Sequence, residues 1–203
     1  MRIHKLAAIV AGLVLMPLLG CEQREGDRTS GTRDSKKNQT GYRDQRTEPG
    51  AASSQTSDQQ FVTTATQANL AEIDSGRIAT ERASNADVKK FAQQMIDDHG
   101  KANRELSDLA RKKGFSVPEQ TDDDHRKMAA DLAELNGADF DRKYIGMMVK
   151  DHVKAVALFE ENAKLAKDAD LRAFAEKMTP DLRAHLKTAR HLAGKIGASP
   201  TAD

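Results

Sequence analysis

The sequence predicts an all-α protein whose folded part is a four-helix bundle. Three observations lead to this class. Alanine, leucine, lysine and acidic residues dominate a chain that has no tryptophan and few aromatic residues, a composition with a strong helix-forming tendency. Four long stretches carry apolar residues at helical spacing. Short turns join the first stretch to the second and the third to the fourth, and such helices bury their apolar faces best as a bundle.

The N-terminus predicts export and a lipid anchor. Arg2 and Lys5 precede an apolar run over 6–19, which is followed by Cys21. At about 1.5 Å per residue such a run cannot span a hydrocarbon core of roughly 30 Å as a helix, so 1–20 is predicted to be a signal peptide. The sequence LLGC that ends at Cys21 resembles the lipobox of bacterial lipoproteins, which implies lipidation of Cys21. An ordinary signal peptide followed by a free thiol is the alternative.

Residues 21–57 are predicted to comprise the lipidated cysteine and a disordered tether, because Gly, Ser, Thr, Gln and charged residues cannot build a core. We therefore expect the folded part at the periplasmic face of the cell envelope, attached to the membrane by its lipid. Glu22 favours the outer membrane by resemblance to enterobacterial sorting rules. Cys21 is the only cysteine, so no internal disulfide can form.

Charge argues against nucleic acid as a partner. The formal net charge is +1, and basic and acidic residues are interspersed rather than gathered into a basic stripe. The expected partner is the membrane, through the N-terminal lipid. An envelope protein partner and the oligomeric state stay open.

The folded domain is predicted over 58–197, with a frayed tail at 198–203. Asp58 is the expected N-cap of the first helix and Asn85 that of the second. A short extra helix is expected between the second and third long helices. Pro180 should kink or divide the last helix. The helices are expected, in order, over 59–83, 85–113, 121–135, 139–167 and 170–196.

Two stretches of the bundle repeat each other. They are 91–102 (FAQQMIDDHGKA) in the second long helix and 144–155 (YIGMMVKDHVKA) in the third. Each places a histidine, His99 or His152, with apolar residues three, four and seven positions away. Both histidines are therefore predicted to point into the core.

A layer of polar groups is predicted at half height of the bundle. His185 lies in the middle of the last helix, and Glu72 lies at the midpoint of the first on a face of small residues. Antiparallel helices meet at their midpoints, and an unpaired buried polar group costs about 1–3 kcal/mol. The layer must therefore bind a metal ion or satisfy itself by hydrogen bonds from histidine to carboxylate. Zinc, copper and iron suit this donor set. The candidate ligands are Glu72, His99, His152 and His185.

Three aspartates are candidates to accept hydrogen bonds from the histidines or to add ligands. Asp98 and Asp151 each precede a histidine, about 100° around the helix, and Asp181 lies one turn before His185. No catalytic residue is assigned, because no Ser-His-Asp ordering, phosphate-binding glycine loop or Cys-x-x-Cys element is present.

Several motifs follow one another in order over 60–196. They are Asn69-Leu70-Ala71-Glu72-Ile73, Phe91, Met95-Ile96, Asp98-His99, Phe140-Asp141, Tyr144, Asp151-His152, Phe174-Ala175, Pro180 and His185. Their order resembles the domain-of-unknown-function 4142 family. This resemblance implies a ferritin-like bundle in an exported or lipid-anchored bacterial protein, without an established activity. The Glu-x-x-His pairs of ferritin-like di-iron enzymes are missing here, which argues against a di-iron oxidase or an iron store.

Two functions are compatible with these features. The first is a non-enzymatic, lipid-anchored envelope protein whose polar layer binds a metal or serves as a structural network, the bundle acting as an interaction module or spacer. The alternative is a metal-dependent oxidoreductase or peroxide-handling enzyme on the same scaffold. Catalysis needs an open coordination position and a path for substrate, whereas a sealed layer favours the first function.

Overall fold

The computed structural model describes residues 49–199, with side chains from residue 57 onward. The predicted signal peptide, Cys21 and most of the predicted tether lie outside this range, as do residues 200–203. The described part is helical throughout, without a strand, which confirms the all-α class. None of its helices combines the length and apolarity that crossing a bilayer takes. The helices are α1 (Pro49–Arg82), α2 (Ala86–Lys112), α3 (Asp123–Ala133), α4 (Gly137–Leu165) and α5 (Ala169–Ile196).

The four long helices form two antiparallel hairpins, α1–α2 and α4–α5, that pack against each other. Ion pairs at both ends show that α2 and α5 are antiparallel as well. The Lys113 ammonium after the end of α2 lies 2.9 Å from Asp168 and 2.6 Å from Asp170 at the start of α5. Lys195 near the end of α5 lies 2.7 Å from Asp87 at the start of α2. The short helix α3 packs on α1 and α4, as the predicted extra helix in the long connection.

Side-chain caps fix where the helices begin. Asn85 accepts the backbone N–H groups of Asp87 and Val88, so its prediction as an N-cap is confirmed. Asp168 does the same for α5 and Asp122 for α3. Each cap satisfies N–H groups that have no partner within the first turn.

The start of α1 differs from the prediction. The helix begins at Pro49, a residue suited to the first helical position because it has no N–H to satisfy. Asp58 as the cap of this helix is therefore wrong, since it lies inside α1. Its buried carboxylate instead accepts the N–H groups of Lys167 at 2.8 Å and Asp168 at 2.7 Å, in the α4–α5 turn.

Asp141 on α4 plays the reciprocal role. Its buried carboxylate accepts the N–H groups of Ser84 at 3.0 Å and Asn85 at 2.9 Å, in the α1–α2 turn. Each hairpin thus supplies a carboxylate that binds the turn of the other hairpin. These two contacts fix the position of the hairpins relative to each other along the bundle axis.

Pro180 does not divide the last helix. Helix α5 runs unbroken from Ala169 to Ile196 with Pro180 inside it. The Thr179 hydroxyl, one residue earlier, donates to the Ala175 carbonyl at 2.8 Å. Packing along the whole length of α5 offsets the backbone hydrogen bond that proline cannot make.

The core consists of two apolar clusters, one toward each end of the bundle. Buried polar residues of α1 separate them, and so do the three histidines. The first cluster includes Ala79, Val88, Phe91, Met95, Phe140, Tyr144, Met148, Ala189 and Leu192. The second includes Phe61, Val62, Leu106, Phe159, Leu171, Phe174 and Leu182. The polar residues of α1 between them are Thr66, Asn69, Glu72 and Ser75.

Candidate metal centre

Three histidines meet between the two apolar clusters. His99 on α2, His152 on α4 and His185 on α5 are 5%, 1% and 4% exposed. Their ring centroids form a nearly equilateral triangle with sides of 5.5, 5.5 and 5.4 Å. The predicted layer thus brings together three helices at half height, and we call these residues the histidine triangle.

The tautomer of His152 follows from a backbone contact. Its Nδ1 lies 2.9 Å from the carbonyl oxygen of Met148, one helical turn earlier. A carbonyl oxygen can only accept, so Nδ1 carries the proton and Nε2 keeps a lone pair. That Nε2 is buried and has no hydrogen-bond partner among the described residues.

The other two rings are oriented in the same manner by side chains. His99 Nδ1 donates to Asn69 Oδ1 at 2.9 Å, which leaves His99 Nε2 with a lone pair. His185 Nε2 donates to Asp98 Oδ2 at 2.9 Å, which leaves the lone pair on His185 Nδ1. Both remaining nitrogens are buried without a partner in the described part of the chain.

The geometry fits a metal ion. One nitrogen from each ring lies within 4.8 Å of the other two. Three nitrogens bound to one metal at about 2.0–2.1 Å stand roughly 3.4–3.6 Å apart, so small rotamer changes would close the site. Three buried lone pairs without a donor among the described residues are costly, and a cation is the group that would satisfy all three.

The surroundings of His99 and His152 favour the neutral form of both rings. Burial and the neighbouring rings of His152 and His185 lower the pKa of His99 well below its usual value. Burial and His185 lower the pKa of His152 to about 4, despite the opposing hydrogen bond to Met148. Both rings are therefore neutral at pH 7, which is the form that coordinates metals.

Glu72 lies beside the histidine triangle rather than within it. Its Oε1 stands 3.6 Å from Nδ1 of His152, which is the nitrogen that already donates to Met148. Its Oε2 has no partner among the described residues, and burial followed by the charge of Asp151 raises its pKa well above the usual value. The role of Glu72 as a ligand stays a prediction.

The three aspartates occupy different places. Asp98 is half exposed and accepts the hydrogen bond from His185. Asp181 is exposed and lines a small cavity of about 90 Å³ that Asp98 and His185 also line. Asp151 faces a larger cavity near Lys154, at 3.9 Å from its ammonium. Only Asp98 contacts the triangle through a hydrogen bond found in the described residues.

Sequence reasoning missed Asn69 as a member of the layer. Its amide oxygen sets the orientation of His99. The spacing along the chain points to it. Asn69 precedes His152 by 83 residues, which is also the separation between Asp58 and Asp141, the two aspartates with reciprocal roles. The two hairpins are matched along their length, so Asn69 occupies on α1 the place that His152 occupies on α4.

A cavity of about 350 Å³ adjoins the layer between α1, α3 and α4. Its lining includes His99 and Glu72, together with Asp151 and residues of α3. The ligand nitrogen of His99 nevertheless has almost no exposed surface. The triangle is thus sealed from solvent beside an open cavity.

The fold and the site define an all-α bundle protein with a buried cluster of three histidines that could hold a metal. In sequence, the chain belongs to the family described as "Domain of unknown function (DUF4142)", whose model matches residues 44–192. The family resemblance predicted from the motifs is therefore confirmed. No curated protein matches the sequence.

Three solved structures share the fold. A DUF305 protein from Streptomyces coelicolor, inferred to be secreted, has a TM-score of 0.62 and 12% identity, and the match covers 72% of this chain and 97% of the Streptomyces chain. A DUF305 fragment from Deinococcus radiodurans has a TM-score of 0.60 and 19% identity, and the match covers 68% of this chain and 95% of the fragment. CopM in its Cu(II)-bound form has a TM-score of 0.58 and 22% identity, and the match covers 68% of this chain and 96% of the CopM chain.

Proposed function

We propose that this chain is a metal-binding protein of the bacterial cell envelope in which His99, His152 and His185 hold one divalent transition-metal ion. One observation carries the proposal: each ring donates from one nitrogen, and the three remaining lone pairs are buried together without a partner in the described residues. A purely structural network would pair these nitrogens with donors.

Copper(II) is the ion we favour. Imidazole nitrogen suits copper, zinc and iron, and among divalent ions copper binds such sites most tightly. CopM, which shares the fold, has a Cu(II)-bound form. Zinc is the strongest competitor, because three neutral imidazoles also match its preferred ligands.

Asp98 supplies the negative charge that a buried divalent ion needs. Its carboxylate accepts the Nε2–H of His185 at 2.9 Å, the arrangement in which a carboxylate orients a metal-binding histidine. Asp98 is half exposed.

The enzymatic alternative stays a prediction. A metal-dependent oxidoreductase or peroxide-handling enzyme needs an open coordination position, and the three ligand nitrogens are buried. The cavity beside His99 is the feature that would favour it, if substrate could reach the metal from that side.

The location rests on the N-terminal sequence. The lipobox-like LLGC that ends at Cys21 supports a lipid anchor, and Glu22 supports the outer membrane. The fold shared with a DUF305 protein inferred to be secreted agrees with an extracytoplasmic site. Labelling cells with a radioactive fatty acid tests the anchor: the label should appear on the wild-type chain and not on Cys21→Ser, and an unlabelled wild-type chain would overturn it.

Metal binding is tested on the purified full chain, prepared without chelator or affinity tag. Elemental analysis after exposure to equal copper(II) and zinc should find one copper per chain. Electron paramagnetic resonance of the copper form should show nitrogen ligands. His152→Ala should lose the bound copper, as should His99→Ala.

The matched control is His191→Ala, which removes an exposed histidine of the same helix that carries His185. It should keep one copper per chain. The proposal fails if the wild-type chain takes up no metal, or if His152→Ala and His191→Ala retain the same amount while both stay folded by circular dichroism.

A further inference from the structure

The cavity between α1, α3 and α4 is large enough for a small molecule. Its volume of about 350 Å³ falls at the lower end of the roughly 300–1,000 Å³ usual for ligand sites. Most of its wall is apolar and includes Ala65, Ala68, Ala71, Met128, Ala129 and Leu158. The small α1 side chains on this wall leave room that a bundle core normally fills.

Three carboxyl groups line the cavity, those of Glu72, Asp122 and Asp151. Glu72 is almost fully buried, and its Oε2 has no partner among the described residues. Asp151 is partly buried; the largely exposed ammonium of Lys154 lies 3.9 Å from its carboxylate, and the charges of His125 and Lys150 also act on it. At the edge, Asp122 is engaged by His125 at 2.8 Å. The acidic groups thus outnumber the fixed cation on this lining.

An apolar wall that carries more acidic side chains than lysines has a definite chemical complement. A molecule with a hydrocarbon body can replace water against the alanines and Met128, which favours binding by burial of apolar area. An ammonium group can donate to the carboxyl oxygens of Glu72 and Asp151 in charge-assisted hydrogen bonds, which are stronger than neutral ones. An anion would meet Glu72 and Asp151 at close range and is excluded.

We propose that this cavity is a binding site for a small amphipathic cation, a protonated amine on a short hydrocarbon chain. The ammonium lies at Glu72 and Asp151, and the chain extends along α1 beneath Met128 and Ala129 of α3. Helix α3 forms the outer wall of the site. The site adjoins the histidine triangle at His99, and its ligand needs no metal.

The test uses the full chain treated with chelator, so that an amine cannot be held by a metal. Isothermal titration with n-octylammonium chloride should show one site per chain. Octanol, which has the same hydrocarbon chain without the charge, should bind at least about tenfold more weakly. Glu72→Gln should weaken octylammonium by about tenfold or more and leave octanol nearly unchanged.

A second pair of variants locates the site. Ala129→Phe places a ring in the cavity and should abolish binding of both probes, whereas Ala130→Phe adds the same ring to the exposed face of α3 and should not. Glu81→Gln, on the exposed end of α1, is the matched control for Glu72→Gln.

Three results would overturn the inference: no binding of octylammonium, equal binding of octanol, or undiminished binding by Ala129→Phe. If Ala129→Phe fails to fold, two comparisons still test the inference. One is the affinity of the wild-type chain for octylammonium against octanol, and the other is the affinity of Glu72→Gln against Glu81→Gln for octylammonium. One copper per chain together with no amine binding would refute this inference alone and leave the proposed function standing.

Discussion

His152 should make the metal-free protein sensitive to acid, and replacing it with leucine should remove its share of that sensitivity. The ring is almost fully buried, and its pKa is lowered to about 4. In the unfolded chain the pKa returns to its ordinary value of about 6.5. Below pH 6.5 the unfolded state therefore binds a proton that the folded state does not, and the free energy of unfolding falls as the pH falls.

The size of the effect follows from these two pKa values. A separation from about 6.5 to about 4 corresponds to a loss of about 1 kcal/mol at pH 5.5 and about 3 kcal/mol at pH 4.5, compared with pH 7.5. Glu72 acts in the opposite direction, because its pKa is raised in the folded state and its stabilisation is lost as the pH rises. Glu72 is present in both proteins, so the comparison between wild type and His152→Leu reports on His152 and on its effect on the pKa of His99.

The assay is urea unfolding, followed by circular dichroism in the presence of chelator, at pH 4.5, 5.5, 6.5 and 7.5. The wild-type free energy minus that of His152→Leu should fall by about 3 kcal/mol from the highest pH to the lowest. A difference that does not change with pH would refute the reasoning. A difference that grows in acid would show instead that protonated His152 forms an ion pair with Glu72, 3.6 Å away.

Three further predictions concern separate contacts. Asp58→Ala should lower the free energy of unfolding by about 2–4 kcal/mol in urea titrations, because it strands two N–H groups of the α4–α5 turn. Asp98→Ala should weaken copper binding by about 10- to 100-fold in a chelator competition while one copper per chain remains, since His185 loses its acceptor. Gly76→Ala should lower the thermal midpoint, because the new Cβ would stand 2.9 Å from Cγ1 of Ile96 on α2.

Each of these predictions has a control variant. Asp74→Ala removes an exposed carboxylate that pairs with the exposed Arg77 and should cost less than about 0.5 kcal/mol. Asp97→Ala removes the exposed neighbour of Asp98 and should leave copper affinity unchanged. Gly194→Ala, on α5, has open space at the new Cβ and should raise the thermal midpoint. If a test variant matches its control, the corresponding contact does not act as described.

The helical pattern was readable because it depends on residues close in sequence. Caps such as Asn85 and apolar stripes such as the one on α4 repeat every turn, so they mark helices without knowledge of the fold. The histidines were found for the same reason, since each lies on the buried stripe of its own helix. Residues 1–48 bear the predictions of export and lipidation, and those stay predictions.

The partners of those residues could not be read from the same pattern. Asp58 is a residue type that often caps helices, and it precedes a helical pattern. Its carboxylate binds the N–H groups of the α4–α5 turn because the second hairpin packs against α1. Glu72 and Asn69 lie one turn apart on α1, so helical periodicity does not tell which of them faces His99. The packing of α1 against α2 brings Asn69 into hydrogen-bond contact with His99.

The sequence alone determined that four amphipathic helices form, that they bury their apolar stripes together, and that three of them carry a histidine at half height. The tertiary structure decided which nitrogen of each ring is left with a lone pair, which acid stands beside the triangle, and where a cavity remains. Periodicity fixes the face of a helix to within a turn. Hydrogen-bond partners depend on ångström-scale distances between helices, which are set by the packing of side chains far apart in the chain.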